Sequence, residues 1–384
     1  MKKPKENPLK GNWLLNSDTV FLNHGSFGAC PKIIFDSLIK FQKQLEFEPV
    51  NFLFSELFEY LKDSRSALSN YLNCDRDDIA FFPNPSTALN TLIRSLDLNK
   101  GDQILTTNHE YGALDRTWNF ISKKTGCEYV KLDIEIPFFD KQKFIDSFKN
   151  SINSKTKVIF LSHITSATAL IFPVKEIIEL AKQKNILTII DGAHVPAHID
   201  LDIKKLDPDF YCGACHKWMC SPKGAAFLYV KKEYQKMMEP LVVSWGYEAE
   251  NPSDSQYLDY MQWQGTNDMS AYLTIPDTIK FLNEHNWIDK AKKCRDLNLW
   301  AKNEICEKLN TFSLGDDEFL GQMTTIAYDF EDVINNKIEF YNKYKIQVPF
   351  VKWNDNTFFR ISFQVYNSKD DINYLIESLI NFKK

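Results

Sequence analysis

The stretch Phe210-Tyr-Cys-Gly-Ala-Cys-His-Lys-Trp-Met-Cys-Ser-Pro-Lys-Gly224 supports two incompatible chemistries. Cys212-Gly-Ala-Cys215-His216 has the C-x-x-C-H spacing that attaches a c-type haem. With Cys220 the same residues make a zinc set, although no second ligand pair follows at the usual spacing. The other reading starts from His216-Lys217-Trp218, which presents a lysine to a carbonyl cofactor just before a Gly-Ala-Ala run and a strand. Gly213 and Ala214 precede that lysine, and Tyr211 and Trp218 flank it. Such partly apolar surroundings disfavour the ammonium and free the amine for imine chemistry. Lys223, between Pro222 and Gly224, is the rival lysine, in a turn that suits exposure.

Around this stretch the chain alternates strands and helices. Apolar strands are expected at 79–82, 103–106, 128–132, 157–163, 186–191, 209–211 and 225–230, with helices between most of them. Near-continuous apolar strands of this kind belong to an α/β domain with a mainly parallel sheet. Polar residues at the strand ends then collect along one edge, where such sheets bind ligands. Helical periodicity also covers 33–45 and 54–72. Residues 246–268 are polar and turn-rich, and 277–309 read as long helices. Strands near 324–330, 346–349 and 358–363, with helices near 332–344 and 369–381, make a small α+β unit.

Composition narrows the function. The 384 residues are 44% hydrophobic and 25% charged, with a formal net charge of −5. That is ordinary for a globular protein and gives no basic face for nucleic acid. The lysine-rich start is followed by no apolar segment of a secretory signal, and no run of about 18 apolar residues spans a membrane. Eight cysteines scattered over a long chain read as reduced thiols in a cytoplasmic protein. Haem attachment would require export, which weighs against the first reading.

Several residues gather at the expected strand ends. Ser86 or Thr87 fits a helix N-cap after the 79–82 strand, where free N–H groups and the helix dipole favour an anion. Asp191 ends the 186–191 strand in Asp-Gly-Ala-His194, where a half-desolvated carboxylate needs a cation or hydrogen bonds. His163, with Thr165 and Ser166, points to the same edge. Arg360 lies within an apolar strand, as an edge residue or as a carboxylate clamp. Asn23-His24-Gly-Ser-Phe-Gly28 is a tight loop in which Gly25 and Gly28 permit close approach. The chain has no H-E-x-x-H, Walker A or G-x-S-x-G motif and no Rossmann fingerprint.

Together these pieces resemble class V aminotransferases of the fold-type-I pyridoxal-phosphate superfamily, most of all the isopenicillin N epimerase-like members. The matching segments run in family order from Asn23-His-Gly-Ser-Phe-Gly28 through Asn84-Pro-Ser-Thr87, His109-Glu-Tyr-Gly-Ala-Leu-Asp115 and Ser162-His-Ile-Thr-Ser166. They continue with Asp191-Gly-Ala-His194, Cys215-His-Lys-Trp218, Gln264-Gly-Thr266 and Phe359-Arg-Ile-Ser362. The resemblance implies pyridoxal 5'-phosphate as cofactor and Lys217 as its Schiff-base lysine. Asp191 would pair with the pyridinium nitrogen, and Ser86, Thr87 and His216 would hold the phosphate. Thr266 would join them from a second subunit, in a homodimer with shared sites. Tyr111 would stack on the ring, with His109 as the alternative. His194 and Thr165 would lie near the phenolic oxygen, and Arg360 would clamp the substrate carboxylate with Asn23 and His24 nearby. It further implies an N-terminal segment (1–50) packed on the small domain, a large cofactor domain (51–275) and a small C-terminal domain (276–384). The implied reaction is at Cα of an amino acid or peptide-like substrate: epimerisation, or C–S cleavage or transamination. Desulfurases of this class use a cysteine in the small domain, and here none follows Cys306.

Overall fold

The computed structural model describes residues 3–4, 7–138, 140–353 and 355–382. A two-residue strand, β1 (Val20–Phe21), comes first. Seven strands then form one sheet: β2 (Ile79–Phe82), β3 (Gln103–Thr107), β4 (Glu128–Leu132), β5 (Thr156–Ser162), β6 (Leu187–Gly192), β7 (Phe210–Ala214) and β8 (Ala226–Val230). Their order is β2-β8-β7-β6-β5-β3-β4, and only β8 runs against the rest. This is the mainly parallel α/β sheet read from the sequence.

Period-2 alternation explains how the sheet is buried on both sides. Ile79, Phe81, Leu105, Ile159, Leu161 and Ile190 enter one core, while Ala80, Phe82, Ile104, Val158, Phe160 and Ile189 enter the other. Helices cover each face, so every residue of β2, β7 and β8 is buried. The helix Pro85–Ser95, for instance, puts Leu89, Leu92 and Ile93 into the second core.

A smaller sheet follows, built from β9 (Met323–Ala327), β11 (Phe350–Trp353) and β12 (Asn356–Ser362), with β10 (Ile346–Gln347) lying between β9 and β11 in the chain. The order β11-β12-β9 is antiparallel throughout, and β10 pairs instead with β1, in parallel. Its core contains Phe350, Phe359, Ile361, Leu375 and Leu379. The N-terminal residues reach both bodies: Val20 and Leu22 enter the small-sheet core, whereas Trp13 and Ile34 enter the large one. Among the described residues no helix is long and apolar enough to cross a membrane.

Four local departures from the sequence pattern have physical reasons. β7 extends to Ala214, because β6 and β8 flank it and satisfy its backbone, so Cys212 lies inside a strand. β11 was hidden behind Pro349 and forms because β12 supplies its partners, Phe350 opposite Phe359. In the turn-rich stretch a helix, Gln256–Gln262, is capped by the Ser255 side chain and buries Tyr257, Leu258 and Met261. The cap of helix Pro85–Ser95 is Asn84, not Ser86 or Thr87. Pro85 has no N–H to offer and suits the first helical position, which leaves Asn84, just before it, as the cap.

Candidate active site

The C-terminal ends of β5, β6 and β7 place Ser162, Asp191 and Cys212 side by side in register. Asp191 is buried, and burial pushes its carboxyl up, opposed by the backbone N–H of Ala193 and by Lys217. Its Oδ1 accepts that N–H at 3.0 Å. No hydrogen bond to its second oxygen occurs among the described residues. A buried carboxylate with an unfilled oxygen fits a cationic N–H partner such as a pyridinium.

Lys217 follows β7. Its amine is partly buried, 3.0 Å from His194 Nε2. Burial lowers its pKa to about 8, with Asp191 opposing and Arg360 adding to the drop. The backbone here is gripped from the N-terminal loop. Gly28 adopts φ +67°, and a Cβ on it would lie 2.1 Å from the His216 carbonyl oxygen. His24 Nε2 lies 3.0 Å from the Lys217 carbonyl oxygen, and its Nδ1 lies 2.8 Å from the Tyr366 hydroxyl. His24 is therefore wholly engaged in holding this backbone. Asn23 Oδ1 accepts from the Ser26 hydroxyl at 2.6 Å.

Arg360, on β12, is buried, and burial pulls its guanidinium down to about 10. Nη1 donates to the Ser166 carbonyl, Nη2 donates to Ser26 Oγ at 2.9 Å, and Nε has no partner among the described residues. No carboxylate pairs with it among the described residues. A buried cation without a counter-ion is costly unless a ligand supplies one.

The anion side is the start of helix Pro85–Ser95. Thr87 spends its backbone N–H (2.8 Å) and its hydroxyl (3.1 Å) on Asn84 Oδ1, while the Ser86 hydroxyl makes no hydrogen bond among the described residues. His216 Nδ1 lies 2.9 Å from the Ala225 carbonyl oxygen, and burial lowers the ring to about 4. Among the described residues its Nε2 has no partner. A nearby dianion would favour the charged ring, which then donates from Nε2.

The two aromatic alternatives separate clearly. His109 is buried, with its nitrogens 2.8 Å from Thr168 Oγ1 and 2.9 Å from the Ile134 carbonyl oxygen. Tyr111 is 46% exposed and precedes the helix Gly112–Thr125, which makes it the ring with an open face. Thr165 is fully buried and braces a turn, accepting the Leu170 N–H at 2.8 Å and sharing a 2.8 Å hydrogen bond with Thr168. Thr266 is exposed, and no hydrogen bond joins it to these residues among the described residues.

Two residues escaped the sequence reading. Ser26 joins Asn23 to Arg360, and only its place in the Gly25–Gly28 loop hinted at this. Glu110 is buried; its carboxylate accepts the Ser162 N–H (2.9 Å), the Ser162 hydroxyl (2.6 Å) and the Thr107 hydroxyl (2.7 Å). Burial, and Asp191 nearby, raise its pKa to about 7. An acidic residue set between His109 and Tyr111, just past an apolar strand, was the available signal.

The haem and zinc readings lose their ligands. Cys212 faces the core that contains Phe82 and Phe210, while Cys215 faces the opposite core, both wholly buried. No group of three or more His, Cys, Asp or Glu side chains poised for a metal occurs among the described residues.

The aminotransferase class-V family model matches residues 50–375. The chain belongs to that family. It is a pyridoxal-phosphate-dependent enzyme. Isopenicillin N epimerase of Streptomyces clavuligerus is 28% identical to it, over 96% of each chain. A probable chloroplastic L-cysteine desulfhydrase of Arabidopsis thaliana is 26% identical, over 94% of this chain and 82% of the relative. Among solved structures, a cysteine desulfurase from Thermococcus onnurineus NA1 superposes with a TM-score of 0.84 at 17% identity, over 99% of both chains. The cystine C–S lyase C-DES does so with a TM-score of 0.83 at 19% identity, over 95% of this chain and 98% of its own. Both confirm the fold-type-I architecture.

Proposed function

We propose that this enzyme binds an amino acid or peptide-like substrate through its α-carboxylate on Arg360 and moves the Cα proton with the Lys217 amine. The observation that carries the reading is the buried Arg360 guanidinium without a carboxylate partner, beside a lysine whose amine is lowered toward neutrality. Bound through Lys217, pyridoxal phosphate supplies the electron-withdrawing ring that makes a Cα hydrogen acidic. The residues that would hold it are Asp191 at the ring nitrogen, Tyr111 on the ring face, His194 beside Lys217, and Ser86 with His216 and the helix start at the phosphate. Thr87 serves the helix cap, and Thr165 and His24 support the backbone behind these groups.

For the outcome at Cα we infer epimerisation, the reaction named for two relatives. It requires a proton donor on the face opposite Lys217. A second reading, C–S lysis, is favoured by where the proton-carrying groups stand: Asp191, His194, His198, Cys212 and His216 lie on the large-sheet side with the lysine, and the small sheet adds to this set only Arg360, which this reading gives to the carboxylate. Elimination of a β-substituent needs only that one base. Transamination is the third outcome open to the family.

Incubation of the holoenzyme with a panel of amino acids in D2O tests this. Deuterium should enter Cα with the unmodified enzyme and not with Lys217→Ala. Appearance of the opposite enantiomer marks epimerisation, pyruvate with sulfide from cysteine marks lysis, and a keto acid alone marks transamination. Undiminished exchange in Lys217→Ala would sink the reading.

We further infer a homodimer. Phe47 (84% exposed), Phe54 (82%) and Trp245 (87%) leave large apolar side chains in water. A second copy covering them would bring Thr266 to its partner's phosphate site. All eight cysteines are free, as suits the reducing cytoplasm in which we place the enzyme.

A further inference from the structure

Trp218 is fully buried between two histidine rings, its ring centroid 4.0 Å from that of His198 and 5.2 Å from that of His24. Its indole N–H donates to Nδ1 of a third, His194, at 3.3 Å. An indole can only donate, so His194 Nδ1 must carry a lone pair. A neutral imidazole with a lone pair on Nδ1 has its hydrogen on Nε2, and Nε2 is the atom 3.0 Å from Lys217 Nζ. The imidazolium is excluded by the same contact, because it would turn an Nδ1–H against the indole N–H.

We propose that Trp218 is a positioning residue that locks His194 in its Nε2–H tautomer, so that the ring offers a donor to the Lys217 amine and holds that amine as an unprotonated acceptor. An ammonium at Lys217 would set two donors face to face. The amine that must react with a carbonyl group is thus kept nucleophilic by a tryptophan that never touches it. The same N–H stays available to a cofactor oxygen beside Lys217.

The surroundings agree with this assignment. His198 Nε2 accepts the Gln322 N–H at 2.6 Å, so its Nδ1–H donates to the His194 carbonyl oxygen at 2.9 Å and fixes that backbone. The 3.0 Å contact of His24 with the Lys217 carbonyl outweighs the 3.4 Å approach of the Gln364 amide nitrogen and makes its Nε2 the donor, leaving Nδ1 to accept from Tyr366. All three rings around Trp218 therefore have one consistent neutral tautomer. The charged and titratable groups that face His194 are Lys217, Arg360, His198 and His216, and each of them, with burial, disfavours the imidazolium. Asp191 faces Lys217 from the neighbouring strand and, with a smaller contribution from Cys212, favours charge on the amine.

The inference rests on Lys217 being the cofactor lysine, and its test separates the two claims. The chain has only seven histidines, so the holoenzyme labelled with 15N-histidine gives a readable spectrum, in which the signal absent from His194→Gln belongs to His194. It should show a pyridine-type Nδ1 and a protonated Nε2, unchanged from about pH 6 to about pH 9. In Trp218→Phe the Nδ1–H tautomer should appear, and the pH midpoint of the visible cofactor band should move by about one unit, the tenfold effect of one lost hydrogen bond. In a His194→Gln background the tryptophan substitution should move the midpoint no further, since an amide has no tautomers. An Nδ1–H or doubly protonated His194 in the unmodified enzyme overturns the proposal, and so does an equal shift in both backgrounds. If Trp218→Phe fails to fold, the measurement on the unmodified enzyme still decides. If borohydride fixes the cofactor on a lysine other than Lys217, the functional reading fails, while the tautomer result stands.

Discussion

The two walls of the site differ in how completely the chain satisfies them. On the large-sheet wall, Lys217, His194, Trp218 and His198 form an unbroken chain of hydrogen bonds or ring contacts, and Glu110 accepts three hydrogen bonds. On the small-sheet wall, Arg360 has a carbonyl and a hydroxyl but no counter-ion, and its Nε is orphaned. The groups that brace the lysine are satisfied by the chain itself, whereas Asp191 and His216 each keep one atom free of partners among the described residues. On the function proposed above, Arg360 is left incomplete at a cost to stability because a paired guanidinium would have nothing left with which to bind a substrate.

Breaking the complete wall should cost most. Lys217→Ala is expected to lower the rate of Cα exchange about a thousandfold or more, the scale of a lost general base, measured by deuterium incorporation. Breaking the incomplete wall should separate activity from stability. Arg360→Met is expected to reduce kcat/KM for amino acids about a hundredfold while raising the melting temperature, as removal of an unpaired buried cation gains about 1 kcal/mol or more. A lower melting temperature would show that the guanidinium is satisfied in a way the geometry does not reveal.

Glu110 tests the large-sheet wall by pH. Its folded pKa of about 7 exceeds the ordinary 4.5, so the folded state binds its proton more tightly than the unfolded chain does. The stability this contributes is complete below about pH 4.5 and is lost as pH rises to about 7. Glu110→Gln mimics the protonated acid, so its stability relative to the parent should climb over that window, by up to about 3 kcal/mol in denaturant titrations. The smallest expected effect lies where the walls meet. Gly28→Ala forces a Cβ onto the His216 carbonyl at a positive φ and should cost about 2 kcal/mol, read as a lower melting temperature.

Much of this was legible in the sequence because it depends on local pattern. Apolar runs gave the strands of the large sheet, and the strand-end positions of Asp191 and Lys217 followed from them. Satisfaction of hydrogen bonds is not local, and there the reading stopped. Nothing in His109-Glu-Tyr111 shows that the histidine is spent on Thr168 and Ile134 while the tyrosine stays open. Cys212 and Cys215 looked like a pair until the strand placed them on opposite faces. Ser26 and Arg360 are 334 residues apart and meet only through folding. The β11 strand likewise exists only because β12 lies beside it.

Lys217 and the other lysine of the same stretch, Lys223, offer the most direct test. Lys223 donates its amine to the Gly28 carbonyl oxygen at 3.0 Å and braces the N-terminal loop, whereas the Lys217 amine lies among Asp191, His194 and Arg360. Reduction of the holoenzyme with borohydride, followed by peptide mapping, should bleach the visible band and leave the pyridoxyl group on Lys217 alone. A pyridoxyl group on Lys223, or a band that resists reduction, would contradict the account.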